Sequence, residues 1–463
     1  MKTKAPRASA GEKYASALVL GLGGSGADAA RLLRREGAEV TVMDRARTGE
    51  LAAEAAALEA DGVRVMLGRD APPDSAFSVC IVSPGFPAES PALRTLRARS
   101  VPVLPEFELG WSRLGSRAVA VTGSNGKSTL VKLCAEALRA AGFRSAQCGN
   151  CLPTVCRLAL EQGQRPLDWA VIELSSFQLE QAAAFRPEVA VLLNLHPNHL
   201  DRHADMGAYR AAKARLFANM ASPDKAIVWE PEKESMALLA ASAPDWISFG
   251  LSEAADYRYA RGGVTARAAR NAGQPGGAFL PTRGTMFDNE IMGLAAAAAM
   301  AVADACGAGA GALSGAMRDF HPLPHRMSEV AALRGVRFVD DSKATSLAAL
   351  AAALTMTPGR VRLIAGGLAK REPFDPVRPL LAGKVPAAYL IGKDAPLLAD
   401  AWRDAAECVL CGDIEEAVRR AWSEAAPGDT VLLAPGCASF DQFRNFGERG
   451  DRFSAAVRAL SGR

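Results

Sequence analysis

Val121–Leu130, VTGSNGKSTL, is the stretch on which the reading of the whole chain turns. An apolar run, Ala118–Thr122, leads into it, and a helix-period segment, Gly126–Ala141, leads out, so Gly123 and Gly126 fall in a strand-to-helix turn. Exposed backbone N–H groups at such a turn, with the positive end of the helix dipole behind them, favour an anion. From this position Lys127 reaches terminal phosphate oxygens, and the hydroxyl of Ser128 or Thr129 suits Mg²⁺. The usual loop, G-x-x-x-x-G-K-[ST], has Gly where Val121 stands. A shorter loop, T-G-x-N-G-K-[ST], also closes around phosphates, and the spacing predicts a nucleotide site of that variant kind. The bland alternative is a decorated turn with no ligand.

A chain of 463 residues exceeds what one hydrophobic core serves, so several domains are expected. The balance of 49% hydrophobic and 22% charged residues is that of an ordinary soluble globular protein. A net charge of +4 without a dense Lys/Arg run argues against nucleic acid as a partner. Ala-rich stretches such as Leu294–Ala303 fall short of a membrane span, and Lys2, Lys4 and Arg7 precede no apolar segment before Tyr14. A frayed N-terminal tail, no secretory signal and a cytoplasmic location are therefore expected. The nine cysteines, an odd number thinly spread, fit reduced thiols. Two C-x-x-C pairs occur, Cys148/Cys151 and Cys408/Cys411, and neither has a second ligand pair at finger spacing.

Short apolar runs alternate with helical segments almost throughout. Strands are expected at Ala17–Leu20, Glu39–Met43, Val79–Val82, Ala118–Thr122, Ala170–Leu174, Val189–Leu193, Arg337–Val339, Val361–Ala365, Ala387–Ile391 and Thr430–Ala434. Helices such as Gly126–Ala141 and Leu347–Leu354 lie between them, which predicts an α/β fold with parallel sheets. Boundaries are placed near Pro105 and at His321–Arg326, HPLPHR, dividing the chain into residues 1–106, 107–322 and 323–463. Tyr257–Arg283, rich in Gly and Arg, reads as an irregular or β-rich insertion.

Other candidate groups surround the loop. Glu173 ends a predicted strand, where a Mg²⁺-binding carboxylate belongs in a parallel sheet. His196, His199 and His203 cluster after the next strand; a zinc site made of all three lacks a convincing fourth ligand. Lys213 stands in an Ala-rich helix and reads on its own as a solvated lysine. Near the N-terminus Gly21, Gly23 and Gly26 form G-x-G-x-x-G between strand and helix, and Asp44 ends the next strand. That pattern also fits an NAD-dependent oxidoreductase, which the ATP-type loop and Mg²⁺ residues downstream disfavour.

The stretch TGSNGKST resembles the ATP loop of the Mur ligases and their relatives, the folylpolyglutamate synthases. ELSSFQLE (Glu173–Glu180), NLHPNHLDRH (Asn194–His203) and YRAAKARLF (Tyr209–Phe217) resemble that family in order and spacing. LPHR (Leu323–Arg326), DDSKATS (Asp340–Ser346) and CASFDQFRNFGERG (Cys437–Gly450) look like the branch that joins D-glutamate to UDP-N-acetylmuramoyl-L-alanine. Ligation of another acceptor within the family, or folylpolyglutamate synthesis, is the alternative.

The resemblance implies an N-terminal Rossmann-like domain for the UDP substrate, a central P-loop-type ATPase domain with a mostly parallel sheet, and a C-terminal Rossmann-like domain for the amino acid. It implies Lys127, Glu173, His199 and Lys213 as catalytic. It implies Gly123, Ser124, Asn125, Gly126, Lys127, Ser128, Thr129, Asn289, Arg326 and Asp341 at ATP. Gly23, Gly24, Ser25, Asp44, Arg45, Ser83, Gly85, Asn150 and Ser175 would meet the UDP substrate, and Lys343, Thr345, Lys370, Ser439 and Phe446 would hold D-glutamate. Ser128, Glu173, His199 and a carbamylated Lys213 would bind two Mg²⁺ ions in a monomeric enzyme. One segment departs from the family pattern: GTMFDNEIMG (Gly284–Gly293) has Phe287 and Asp288 where G-x-H-N-x-x-N is usual, leaving Asn289 as the carry-over.

Overall fold

Three β-sheets organise the chain. The structure is a computed structural model and describes residues 13–86, 89–163, 165–199, 202–267, 278–370 and 373–460. The basic tail with Lys2, Lys4 and Arg7, and residues 268–277 of the Gly/Arg-rich insertion, lie outside the described residues. The expected α/β class is what the structure has. Every strand expected from the sequence is present to within a residue at each end.

The first sheet is parallel, ordered Arg64–Leu67, Glu39–Asp44, Ser16–Leu20, Val79–Val82, Val103–Pro105. Strand order reverses between Ser16–Leu20 and Val79–Val82, which opens a crevice beyond their carboxyl ends. The central sheet has nine strands: Phe279–Pro281, Gly263–Ala266, Tyr257–Ala260, Ala243–Gly250, Ala221–Trp229, Val189–Leu192, Arg117–Thr122, Trp169–Glu173 and Ser145–Gly149. Its pairings are parallel except at one edge, where the insertion adds antiparallel strands. The third sheet runs Ser328–Leu333, Val336–Asp340, Thr430–Leu433, Val361–Gly366, Ala387–Ile391, Glu407–Leu410, with only its first strand antiparallel. Among the described residues no helix is long and apolar enough to cross a membrane.

By packing, the chain forms two compact units. One comprises the residues up to Leu195 with Ala204–Asp319 and holds the first two sheets; the other comprises His196–His203 and Phe320–Arg463 and holds the third.

Within the first unit, the helix Glu106–Leu114 joins the two sheets. Phe107 and Trp111 pack edge-on against Phe185, with ring centroids 5.2 and 5.0 Å away. Two glutamates on this helix are buried, Glu108 against a row of three backbone donors and Glu106 against one. Glu108 Oε1 accepts from the N–H groups of Ala183, Ala184 and Phe185 at 2.8, 2.9 and 2.7 Å. Glu106 Oε1 accepts from Cys156 N at 2.7 Å, and its Oε2 has no partner among the described residues.

Burial outweighs the hydrogen bond at Glu106 and pushes its carboxyl from 4.5 up to about 7. Below pH 4.5 the group is protonated in both folded and unfolded chains and costs nothing. Between pH 4.5 and about 7 the unfolded chain gives up the proton first, so stability falls as pH rises. Above that window the cost is complete and on the order of 3 kcal/mol. Glu106→Gln should remove this slope. Urea unfolding at pH 5 and pH 8 should show wild type losing stability relative to the variant, and parallel curves would refute the assignment.

Candidate functional site

The loop Thr122–Gly126 stands at the carboxyl edge of the central sheet, directly before the helix Lys127–Ala140. Gly126 caps that helix at φ +80°, a left-handed conformation costly for side-chain-bearing residues. Asn194, which follows the neighbouring strand, shapes the loop. Its carbonyl accepts from Ser124 N at 3.0 Å, its Oδ1 accepts from Asn125 N at 2.9 Å, and its Nδ2 donates to Asn125 O at 3.2 Å. Lys127 curls back over the turn, with Nζ 2.9 Å from Gly123 O and 3.1 Å from Ser124 O. Ser124 Oγ lies 3.1 Å from the Tyr209 hydroxyl. Thr129, in the first turn of the helix, is half-buried.

Three more expected residues gather beside this loop. Glu173 is 3% exposed at the end of its strand. The Ser128 hydroxyl donates to Glu173 Oε2 at 2.5 Å, and Asn150 Nδ2 donates to Glu173 Oε1 at 3.0 Å. Lys213 is not the solvated lysine that its helix alone suggests. It is 1% exposed, and its Nζ donates to Gly123 O at 2.9 Å and Thr122 Oγ1 at 3.2 Å. Burial foremost, then the Lys127 cation, push its amine well below the ordinary lysine range, against the pull of Glu173. The oxygens of Ser128 and Glu173, buried and mutually in contact, are the hard donors that Mg²⁺ accepts. Ser175 is placed differently: half-buried, it caps the helix Ser176–Leu179 in a reciprocal capping box with Gln178.

The Gly-rich turn of the first sheet opens on a cavity of about 430 Å³. Gly23, Gly24, Ser25, Asp44, Arg45, Ser83 and Gly85 all line it, with Phe86 and Pro84 beside them. Asp44 faces inward to its own backbone, Oδ2 accepting from Leu22 N at 2.7 Å and Oδ1 from Ala46 N at 2.8 Å. Both oxygens brace the turn, each with acceptor capacity left on the cavity side of a carboxylate that lines it. Arg45 lies over the Phe86 ring, 6.0 Å from its centroid.

Asn289 has a structural task. It caps the helix Glu290–Cys306, accepting from Met292 N at 3.0 Å, while its Nδ2 donates to Met286 O at 3.0 Å. Phe287 is fully buried, and Asp288 Oδ1 gathers Gly262 N and Thr282 Oγ1 at 3.0 Å each. The segment that departs from the family pattern is thus held by its own side chains.

In the second unit the expected amino-acid residues follow the carboxyl ends of three adjacent parallel strands, Val336–Asp340, Thr430–Leu433 and Val361–Gly366. Lys343 Nζ sits 3.9 Å from the ring centroid of Phe446, a cation–π contact. Thr345 N donates to Lys343 O at 2.8 Å, and Ser439 is 2% exposed. Lys370 Nζ donates to Asn198 Oδ1 at 3.0 Å. His199, beside Asn198, has φ +58°, and its N–H donates to Asn198 Oδ1 at 3.0 Å. Asp341, next to Arg326 in charge as well as in space, is pushed up to about 7 chiefly by burial. Among the described residues no group of three His, Cys, Asp or Glu side chains is gathered as a metal cluster.

Sequence reasoning missed Arg449, and the structure gives it a central place. It is fully buried at the start of the helix Phe446–Leu460. Nη2 donates to Ser342 O at 2.8 Å, Nε to Ser342 Oγ at 2.9 Å and Nη1 to Cys437 O at 3.1 Å, with Gly366 O at 3.5 Å. Burial lowers the guanidinium to about 10, so it stays charged at neutral pH. The only signal was an Arg inside a motif read for its Ser and Phe.

A phosphate-type loop at the carboxyl edge of a mostly parallel sheet, in a chain that carries two further α/β sheets, is the pattern of a multidomain nucleotide-binding protein. Family models narrow this class: residues 15–105 match the MurD-like N-terminal domain of Mur ligases, 121–274 the Mur ligase middle domain, and 325–437 the Mur ligase glutamate ligase domain. The chain is 40% identical over 453 residues to the UDP-N-acetylmuramoylalanine--D-glutamate ligase of Anaeromyxobacter dehalogenans, covering 94% of this chain and 96% of that one. It is 37% identical to the ligase of the same name from Acidobacterium capsulatum, covering 96% of each. In fold it is similar to the MurF ligase of Thermotoga maritima, solved in complex with ADP, with a TM-score of 0.59 at 17% identity over 96% of this chain and 95% of that one. The chain belongs to the Mur ligase family.

Proposed function

We propose that the chain joins D-glutamate to UDP-N-acetylmuramoyl-L-alanine at the expense of ATP, as a cytoplasmic monomer in peptidoglycan precursor synthesis. The observation that carries this reading is near-full-length identity of 40% to a ligase of that name. The packing of Lys127, Ser128, Glu173 and Lys213 around one loop supports it. We divide the work among residues 1–106 for the UDP substrate, 107–322 for ATP and 323–463 for the amino acid.

A carboxylate is a poor electrophile, so the L-alanyl carboxylate first takes the γ-phosphoryl group of ATP, giving an acyl phosphate and ADP. The D-glutamate amine, having lost its proton, then attacks the acyl carbon, and phosphate leaves as the amide forms. Gly123–Thr129 would cradle the phosphates with backbone N–H groups, and Lys127 would leave its carbonyl partners to meet the γ-phosphate. Ser128, Glu173, His199 and a carbamylated Lys213 would hold two Mg²⁺ ions, which supply charge neutralisation at the transferred phosphoryl group. Buried Lys213 favours the neutral amine, the form that adds CO₂. The cavity at Gly23–Ser25 and Ser83–Gly85 would take the UDP portion, with Asn150 orienting the acyl end. Lys343, Lys370, Thr345 and Ser439 would pair with the carboxylates of D-glutamate beside Phe446, and Arg326 and Asp341 would contact ATP.

Phosphate release with Mg-ATP, the UDP substrate and a panel of amino acids tests this. D-glutamate should drive release while L-glutamate and L-lysine stay near background. Equal turnover with L-lysine would overturn the acceptor assignment and leave the ligase class standing.

A further inference from the structure

The stretch Cys148-Gly149-Asn150-Cys151 places two thiols on either side of Asn150, and the reaction above uses neither. Cys148 is fully buried at the end of the strand Ser145–Gly149. Cys151 is partly exposed, and next to it Leu152 is 79% exposed, so this bend borders solvent. The Cys151 thiol folds back over the turn and donates to Cys148 O at 3.4 Å. Gly149 permits the fold: its φ is +108°, and a Cβ there would collide with Glu173 O. That 3.4 Å contact between the Cys151 sulfur and the Cys148 carbonyl brings the two residues together across the bend, the approach a disulfide needs.

We propose that Cys148 and Cys151 form a reversible disulfide by exchange with a low-molecular-weight disulfide, and that Asn150 between them transmits the bond to the phosphate site. Cys151, the accessible thiol, loses its proton to solvent and attacks the small disulfide, forming a mixed disulfide and releasing one thiolate. The Cys148 sulfur then attacks the Cys151 sulfur, and the second small thiol leaves with the Cys148 proton. Two protein thiols are oxidised, and one small disulfide is reduced to two thiols.

The bond acts where Asn150 meets Glu173. Asn150 N donates to Glu173 O at 2.8 Å, its Nδ2 reaches Glu173 Oε1 at 3.0 Å, and Glu173 Oε2 takes the Ser128 hydroxyl at 2.5 Å. Closing a ring across residues 148–151 re-sets the backbone of Asn150 and draws its amide from the carboxylate. Formation of the disulfide is independent of the proposed reaction; only its effect on turnover rests on that reading.

Cys156 is the natural competitor, a buried thiol directed at Glu106 O at 3.3 Å. Trypsin releases all three cysteines in one peptide, Ser145–Arg157, so the linkage is mapped directly. Full-length protein would be equilibrated with graded ratios of oxidised to reduced glutathione, quenched, alkylated and digested. The expected product is two hydrogens lighter, linked 148 to 151, with Cys156 alkylated. Phosphate release and the thermal shift given by Mg-ATP should fall together, turnover by at least about fivefold, and return with a dithiol. Cys151→Ser should be insensitive to the same treatment. Alkylation of all three thiols at every ratio, or a bond to Cys156, overturns the disulfide. A mapped 148–151 bond with turnover and Mg-ATP shift unchanged overturns the coupling through Asn150. A reduced protein without ligase activity counts against the proposed function and not against the mapped bond.

Discussion

Lys127→Ala is expected to lower kcat by roughly a thousandfold, about 4 kcal/mol of barrier, while the UDP substrate still binds. Lys127 Nζ rests on two carbonyls of its own loop, Gly123 O and Ser124 O, so the ammonium is already positioned over the turn where the γ-phosphate would lie. The cavity at Gly23–Gly85 is built on a different sheet and does not include it. Single-turnover formation of acyl phosphate would separate chemistry from binding. Turnover within about tenfold of wild type, roughly 1.4 kcal/mol, would mean that this charge does not face the transferred group.

Lys213→Ala should be comparably damaging, and distinguishable in kind. An ammonium beside Mg²⁺ would repel it, whereas a carbamate supplies an oxygen donor. The local chemistry favours the modification, because burial and the Lys127 cation both disfavour the charged amine. The variant should lose on the order of a hundredfold or more in kcat, and added short carboxylic acids should restore part of it. Wild type stripped of bicarbonate should slow as well. A fully active Lys213→Arg would show that only a cation is required there.

Continuous apolar runs announced the strands that parallel neighbours bury on both faces, such as Ala118–Thr122 and Val361–Gly366. The strands that escaped notice are of another kind. Ser145–Gly149 is SAQCG, an edge strand of mixed polarity, and Ala221–Trp229 opens ASPDK before its apolar half begins. Site residues were legible where they adjoin a strand end, as Lys127, Ser128 and Glu173 do. Asn194, Glu106, Glu108 and Arg449 act on backbone groups between 12 and 107 residues away, and no local pattern marks such partners. Asn289 shows the reverse case: a residue matched to a family position whose amide the structure commits to capping a helix.

The buried guanidinium of Arg449 joins three loops that carry the expected amino-acid contacts: Ser342 precedes Lys343, Cys437 precedes Ser439, and Gly366 precedes Lys370. Ordering those loops costs conformational entropy, and here much of that cost falls on folding. If the acceptor amino acid binds among these loops, it would lose chiefly its own freedom of motion on arrival. With Arg449 shortened, the same contacts would remain possible, but association would carry a larger unfavourable entropy, so calorimetry would register the loss more than any map of contacts could.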